Sequence, residues 1–219
     1  IFLATKMIKY PIKKSFFLGT FYNENRPEKF VSNQRVVSRI IFDPFVQELN
    51  NNLREKNVKR LEEIAYVSDG IQTANLLKII FTENPEDESK YHKALRRGKD
   101  IESRYSKIIW KGFWVLKPEY TRQYKRPGFS YDTPKRMRCF EAKEKIILRQ
   151  TEPTILATLD CDGYFFPNSI FQIALKYNDK EKIRCLLGIL NSSLIRYLYL
   201  KISQVEGTTK PQLYINILE

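Results

Sequence analysis

Glycine is scarce in this sequence, at eight residues in 219, and the two closest, Gly98 and Gly112, lie 14 positions apart. Glycines that far apart exclude the dinucleotide fingerprint, the Walker A loop and the kinase glycine loop, all of which need clustered glycines for close backbone approach to phosphate or ribose. They also exclude the glycine-rich loop that cradles S-adenosylmethionine in most methyltransferases. Histidine is scarcer still: His92 stands alone. Ser-His-Asp catalysis would hang on that one residue, and His-rich metal sites are out. Cys139, Cys161 and Cys185 are spaced too widely for a C-x-x-C knuckle. Three such cysteines suit a reducing cytoplasm better than a disulfide scaffold. No run approaches the roughly 18 apolar residues of a membrane helix. No signal peptide is visible either, since Ile1–Leu3 is short and basic residues soon follow. The expectation is a cytoplasmic protein with no membrane partner, no bound metal and no catalytic constellation of its own.

What the chain does have is a core and a large positive surplus. Its hydrophobic fraction is 42% and its charged fraction 29%, the composition of a folded domain. The formal net charge is +13. Between Lys90 and Gln150 there are 18 Lys+Arg against 6 Asp+Glu, a net of +12, while the rest of the chain carries 20 against 19. A surplus concentrated in about a quarter of the sequence marks a polyanion-binding surface, with nucleic acid the default partner. Aromatic residues alternate with the cations there: Tyr105, Trp110, Phe113, Trp114, Tyr120, Tyr124, Phe129 and Tyr131. They can stack on bases or pack beneath the basic segment, and packing is the commoner role.

Residues 1–58 read as a connector, with strands around Phe16–Tyr22 and Val36–Phe42. A helix is expected from Asp43-Pro44 through Phe45, Val46, Leu49 and Leu53. The first residue is Ile1 rather than Met, so the chain reads as a fragment of something longer or a processed product. Gly70 and Arg96–Ile101 read as turns, and Ile108–Trp110 as the start of a strand that Phe113–Leu116 extends or pairs with. The stretch from Lys117 to Met137 has three prolines and little periodicity, and reads as a long functional loop. A β meander then follows: Lys145–Gln150, Thr154–Leu159, a hairpin turn at Asp160–Gly163, then Tyr164–Phe166 and Ile170–Leu175. From Asp179 the period changes. Ile183, Leu186, Leu187, Leu190, Leu194, Ile195 and Leu198 give one helix over about 180–199. The fold class is α+β, a mixed β-sheet with loops and a buried amphipathic helix near the C-terminus.

Several local signatures occur in order. Gly70-Ile71-Gln72-Thr73 precedes Arg97-Gly98-Lys99-Asp100-Ile101 and Arg104-Tyr105. Lys145-Ile146-Ile147, Arg149-Gln150, Ala157 and Asp160 follow, then Tyr164, Asn168-Ser169 and Leu187-Gly188-x-Leu190-Asn191-Ser192. Over about residues 60–219 this set resembles the TaqI-like C-terminal specificity domain. That is the target-recognition part of adenine-specific DNA methyltransferases and of fused restriction-modification enzymes. The resemblance implies a reader of double-stranded DNA. It also implies a methyltransferase domain of the same parent chain as partner, using S-adenosylmethionine to methylate an adenine. The Asn-Pro-Pro-Tyr/Phe signature of such methyltransferases is absent here, so this chain is expected to hold the reading function and no cofactor.

The expected DNA contacts are Arg96, Arg97 and Lys99 on the glycine turn, and Arg122, Lys125, Arg126, Lys135, Arg136 and Arg138 on the long loop, mostly to phosphate. One or two arginines are expected to reach guanine O6/N7, and Tyr124 to wedge or pack beside them. Two of these sites carry an alternative. Gly98 with Asp100 is equally a capped turn, and Gln72, a candidate for bidentate adenine contact, reads first as a turn residue serving the backbone. Asn168-Ser169 and Asn191-Ser192 read as structural. Two rival functions remain open: a metal-dependent nuclease built on Asp132, Glu141 and Lys143, and a basic nucleic-acid-binding module without base specificity.

Overall fold

The structure is a computed structural model that describes residues 59–203, apart from residues 106 and 153, with side chains as far as Tyr199. The strands and helix expected between Phe16 and Leu53, and the segment Leu213–Glu219, lie outside the described residues. In chain order the elements are α1 (Leu61–Ile64), β1 (Ala65–Asp69), α2 (Leu77–Ile80), β2 (Phe81–Thr82), β3 (Tyr91–Ala94), β4 (Phe113–Leu116) and α3 (Pro118–Thr121). Then come α4 (Pro134–Phe140), β5 (Lys145–Arg149), β6 (Ala157–Asp160), β7 (Ile170–Leu175), α5 (Lys180–Leu190) and α6 (Ser193–Ser203). The fold is α+β with two antiparallel sheets, a four-stranded one in the order β1-β7-β5-β6 and a three-stranded one in the order β2-β4-β3.

Strand β5 shows why the larger sheet forms. Its sequence Lys-Ile-Ile-Leu-Arg is β-branched and apolar at the centre, it pairs along both edges, and a core cluster covers each face. Ile146 and Leu148 point to one face and join Ile173, Phe171, Ala157 and the helix residues Ile183, Leu187 and Leu190. Ile147 points to the other, toward Phe140, Phe166 and Ile71. Each of these fully buried aliphatic side chains contributes roughly 1.5–3 kcal/mol. The second core continues under the small sheet through Phe81, Ala94, Phe113 and Val115. Phe165 joins the two sheets: its N–H donates to the Lys93 carbonyl at 3.0 Å and its carbonyl accepts from Leu95 at 2.8 Å.

Lys145, at the edge of the basic segment, is buried inside the sheet. Its Nζ lies 2.9 Å from Oδ2 of the cross-strand residue Asp160, and both side chains are fully buried. Asp160 also accepts the N–H groups of Asp162, Gly163 and Tyr164, at 2.9, 3.0 and 3.0 Å. One carboxylate therefore folds the turn after β6 and neutralises the buried ammonium.

Four expectations are corrected. Thr154–Leu159 yields strand only from Ala157, because Arg104 holds the preceding segment through the Ile155 carbonyl (3.3 Å) and Thr154 Oγ1 (3.1 Å). Asp160–Gly163 is a turn but not a hairpin, since β7 crosses to the far side of β5 and Tyr164–Phe166 is irregular. Ile108–Trp110 lies outside any strand. The C-terminal helix is two helices, broken at Asn191-Ser192. There the Asn191 amide turns to β6, donating to the Ala157 carbonyl at 2.9 Å and accepting its N–H at 3.1 Å, while Ser192 Oγ accepts from Ile195 N and starts α6.

Candidate nucleic-acid interface

The stretch read as a long loop is partly helical: α3 and most of α4 fall within it. Proline starts both helices, where its fixed φ suits the first turn and its missing N–H costs nothing. On α4 the periodicity places Arg136, Cys139 and Phe140 inward and Lys135 and Arg138 outward. Arg136 is thus a correction to the expected contacts. It is 3% exposed and its guanidinium serves the fold. Nη2 lies 2.8 Å from Asp69 Oδ1, Nε donates to the Asp69 carbonyl, and Nη1 donates to the carbonyls of Ser130 and Tyr131 and to Ser130 Oγ. Five bonds from one planar fork tie the end of β1 to the segment before α4.

Gln72 belongs to the same hub. Its Nε2 donates to Asp69 Oδ2 at 2.8 Å, and its backbone exchanges two hydrogen bonds with Ser130 at 2.9 and 3.0 Å. Its side chain thus bonds a carboxylate, while its main chain pairs with Ser130. Gly70 beside it is demanded by close approach, since a Cβ there would meet the carbonyl oxygens of Pro167 and Phe166 at 2.4 and 2.5 Å. Arg136, Asp69, Gln72 and Gly70 together fix the base from which the basic segment projects.

The projecting residues are Arg122, Lys125 and Arg126, all exposed. With Tyr124, Phe129 and Asp132 they line an open hollow of about 460 Å³ between α3 and α4. Tyr124 and Phe129 are half-buried against the core, so their rings support the basic rim while one edge of each stays accessible. Tyr131 is turned fully inward; burial raises its phenol pKa, first by desolvation and then through Glu119 and Asp132.

Arg96, Arg97 and Lys99 sit on a 3₁₀ turn, Gly98–Asp100, and all three are exposed. The turn is capped as one reading expected: Asp100 Oδ2 accepts the N–H groups of Arg96 and Arg97 at 2.7 and 3.1 Å. Gly98 passes close to the sheet, where a Cβ would lie 3.1 Å from the Ser169 carbonyl oxygen. The Arg96 guanidinium pairs with Glu83 at 2.9 Å. The turn therefore displays its cations on a rigid, capped backbone beside Arg149, whose Nε donates to the Ile101 carbonyl at 2.7 Å.

The outward face of α4 carries Lys135 and Arg138. Arg138 stacks on Tyr66 of β1, with Cζ 5.1 Å from the ring centre, and Lys176 after β7 lies 5.7 Å from the same centre. Nothing in the sequence pattern singled out Tyr66 or Lys176, because both fall outside the basic segment and meet Arg138 only through strand pairing. Asp132 and Glu141, the acids of the nuclease pattern, flank opposite ends of α4, a helix about 10 Å long at 1.5 Å per residue. Glu141 and Lys143 line a different hollow from Asp132. Among the described residues no group of three or more His, Cys, Asp or Glu could hold a metal ion. None of the described helices is long and apolar enough to cross a membrane.

An α+β scaffold that displays cations from two rigid platforms defines a polyanion-binding domain. Residues 93–219, more than half of the chain, match the family model of the TaqI-like C-terminal specificity domain, and the chain belongs to that family. It is thus a DNA-binding target-recognition domain of the restriction-modification type. The Gly70–Thr73 part of the resemblance lies before the matched residues. No curated protein matches the chain.

Proposed function

We propose that this domain reads a specific sequence in double-stranded DNA for an adenine-specific DNA methyltransferase of a restriction-modification system, working in the cytoplasm. The observation that carries the reading is the set of exposed cations Arg122, Lys125 and Arg126, set beside half-buried Tyr124 on a segment locked by the Arg136–Asp69 hub. A reader must hold its contacts at fixed positions, because base readout depends on register, and phosphate contacts supply that register. Arg97 and Lys99 add phosphate contacts on the second platform. One or two of the loop arginines reach guanine edges in the major groove. Methyl transfer belongs to the methyltransferase domain of the parent chain, where S-adenosylmethionine supplies the methyl group.

The test is selection of bound duplexes from a random-sequence pool near physiological salt, followed by sequencing. An enriched short motif is expected. Bound DNA with no motif would convert the reading to nonspecific backbone binding. Replacing Arg122, Lys125 and Arg126 by Gln should flatten the salt dependence by about 0.9 in the log–log slope for each phosphate that is no longer neutralised.

A further inference from the structure

We propose that Tyr66, Arg138 and Lys176 form a second DNA contact, a clamp for one backbone phosphate on the β1–α4 edge of the large sheet. The inference deepens the DNA-reading function and rests on it.

Arg138 and Lys176 come from different elements, α4 and the turn after β7, yet both lie over one ring, at 5.1 and 5.7 Å from its centre. Among the described residues neither forms an ion pair with a carboxylate. Most of the nearby acids are already engaged: Glu62 faces Arg60 at 3.5 Å, Glu144 faces Arg184 at 3.2 Å and Asp179 faces Lys182 at 2.9 Å. Glu141 and Lys143 together line a hollow that Tyr66, Arg138 and Lys176 also border. Both cations border one hollow, and an anion entering it is attracted by the two charges together.

Hydrogen-bond direction makes the site specific for an acceptor. Arg138 Nη1 donates to Tyr66 Oη at 2.5 Å. A phenol oxygen that accepts there has its own hydrogen free to point outward as a donor. The cluster therefore presents a phenol O–H, the remaining guanidinium N–H groups and an ammonium, all of them donors. Phosphate oxygens are the matching ligand in DNA, because cation–phosphate hydrogen bonds are the strong, charge-assisted kind. The hollow beside it, about 420 Å³ and open to solvent, is lined by Tyr66, Pro134, Lys135, Arg138 and Lys176, with Glu62, which faces Arg60, at its border, and has room for a phosphodiester to approach.

The test uses the whole 219-residue chain and its selected duplex, titrated from low to moderate salt. Arg138→Gln with Lys176→Gln should lower the slope of log K against log salt by about 0.9, for the one phosphate no longer neutralised, and leave the selected motif unchanged. Tyr66→Phe should weaken binding about fivefold with the slope unchanged, as expected for removal of one neutral donor. Lys182→Gln, on the exposed face of α5, should change neither. If the native chain enriches a motif but the double variant keeps the native slope, the clamp is wrong and the reading function stands. If the double variant alters the motif, the residues read bases and the phosphate assignment falls. If the native chain retains no duplex, both fall together.

Discussion

Replacing Arg136 by Ala separates the two roles an arginine of this basic segment could have. Its guanidinium makes five hydrogen bonds, two of them to Asp69 and three to Ser130 and Tyr131. Removing it takes one donor from each of three backbone carbonyls and leaves the Asp69 carboxylate, only 23% exposed, with Gln72 as its remaining side-chain partner. Breaking a buried pair by deleting one member costs about 3–5 kcal/mol. Against a total stability of about 5–15 kcal/mol that is a large fraction. With a urea slope of about 2 kcal/mol per molar, the unfolding midpoint should fall by about 2 M. Arg136→Lys should recover part of the loss, because one ammonium can meet Asp69 but cannot span to Ser130 and Tyr131. The assay is equilibrium urea unfolding followed by fluorescence, alongside duplex binding across a salt series at a temperature where the variant is folded. The folded variant should keep the native salt slope, whereas Lys135→Ala on the outer face of the same helix should reduce it. An Arg136→Ala protein with an unchanged midpoint and a flattened salt slope would refute this reasoning and return Arg136 to the DNA.

Three further outcomes are expected. Lys145→Met should destabilise the domain by about 3–5 kcal/mol, because Asp160 stays buried without its cation; adding Asp160→Asn should recover part of that loss, which a double-mutant cycle would measure. Gly70→Ala should abolish soluble expression, or cost more than about 3 kcal/mol by chemical denaturation, since its Cβ would meet backbone oxygens at 2.4 and 2.5 Å that cannot move independently. His92 stacks on Phe165 with ring centres 4.0 Å apart, and burial, with Lys117 adding to it, holds its pKa below the usual 6.5. The unfolded chain therefore takes up the proton first as pH falls, so stability should decline below about pH 6.5, and His92→Phe should remove that part of a thermal-melt pH profile.

The parts of this protein legible in its sequence are those where one period or one residue type settles the matter. Strand β5 and the apolar face of α5 follow from their repeats, and the Asp100-capped turn follows from a glycine and an acid at short range. What the repeats could not give was which charges are internal. Arg136 and Lys145 look like the other 16 cations between Lys90 and Gln150, yet each is buried against an aspartate distant in sequence or across a strand pair. Asp69 is 67 residues from Arg136, and no local pattern joins them. The surplus that marks this segment as a DNA-binding surface thus overstates the surface itself, since two of its charges hold the platform on which the others stand. The same logic runs in reverse at Tyr66 and Lys176, which lie outside the segment and reach Arg138 only because β1 pairs with β7 and α4 packs across that edge. Here the fold, more than the sequence distribution of charge, decides which cations can touch a phosphate.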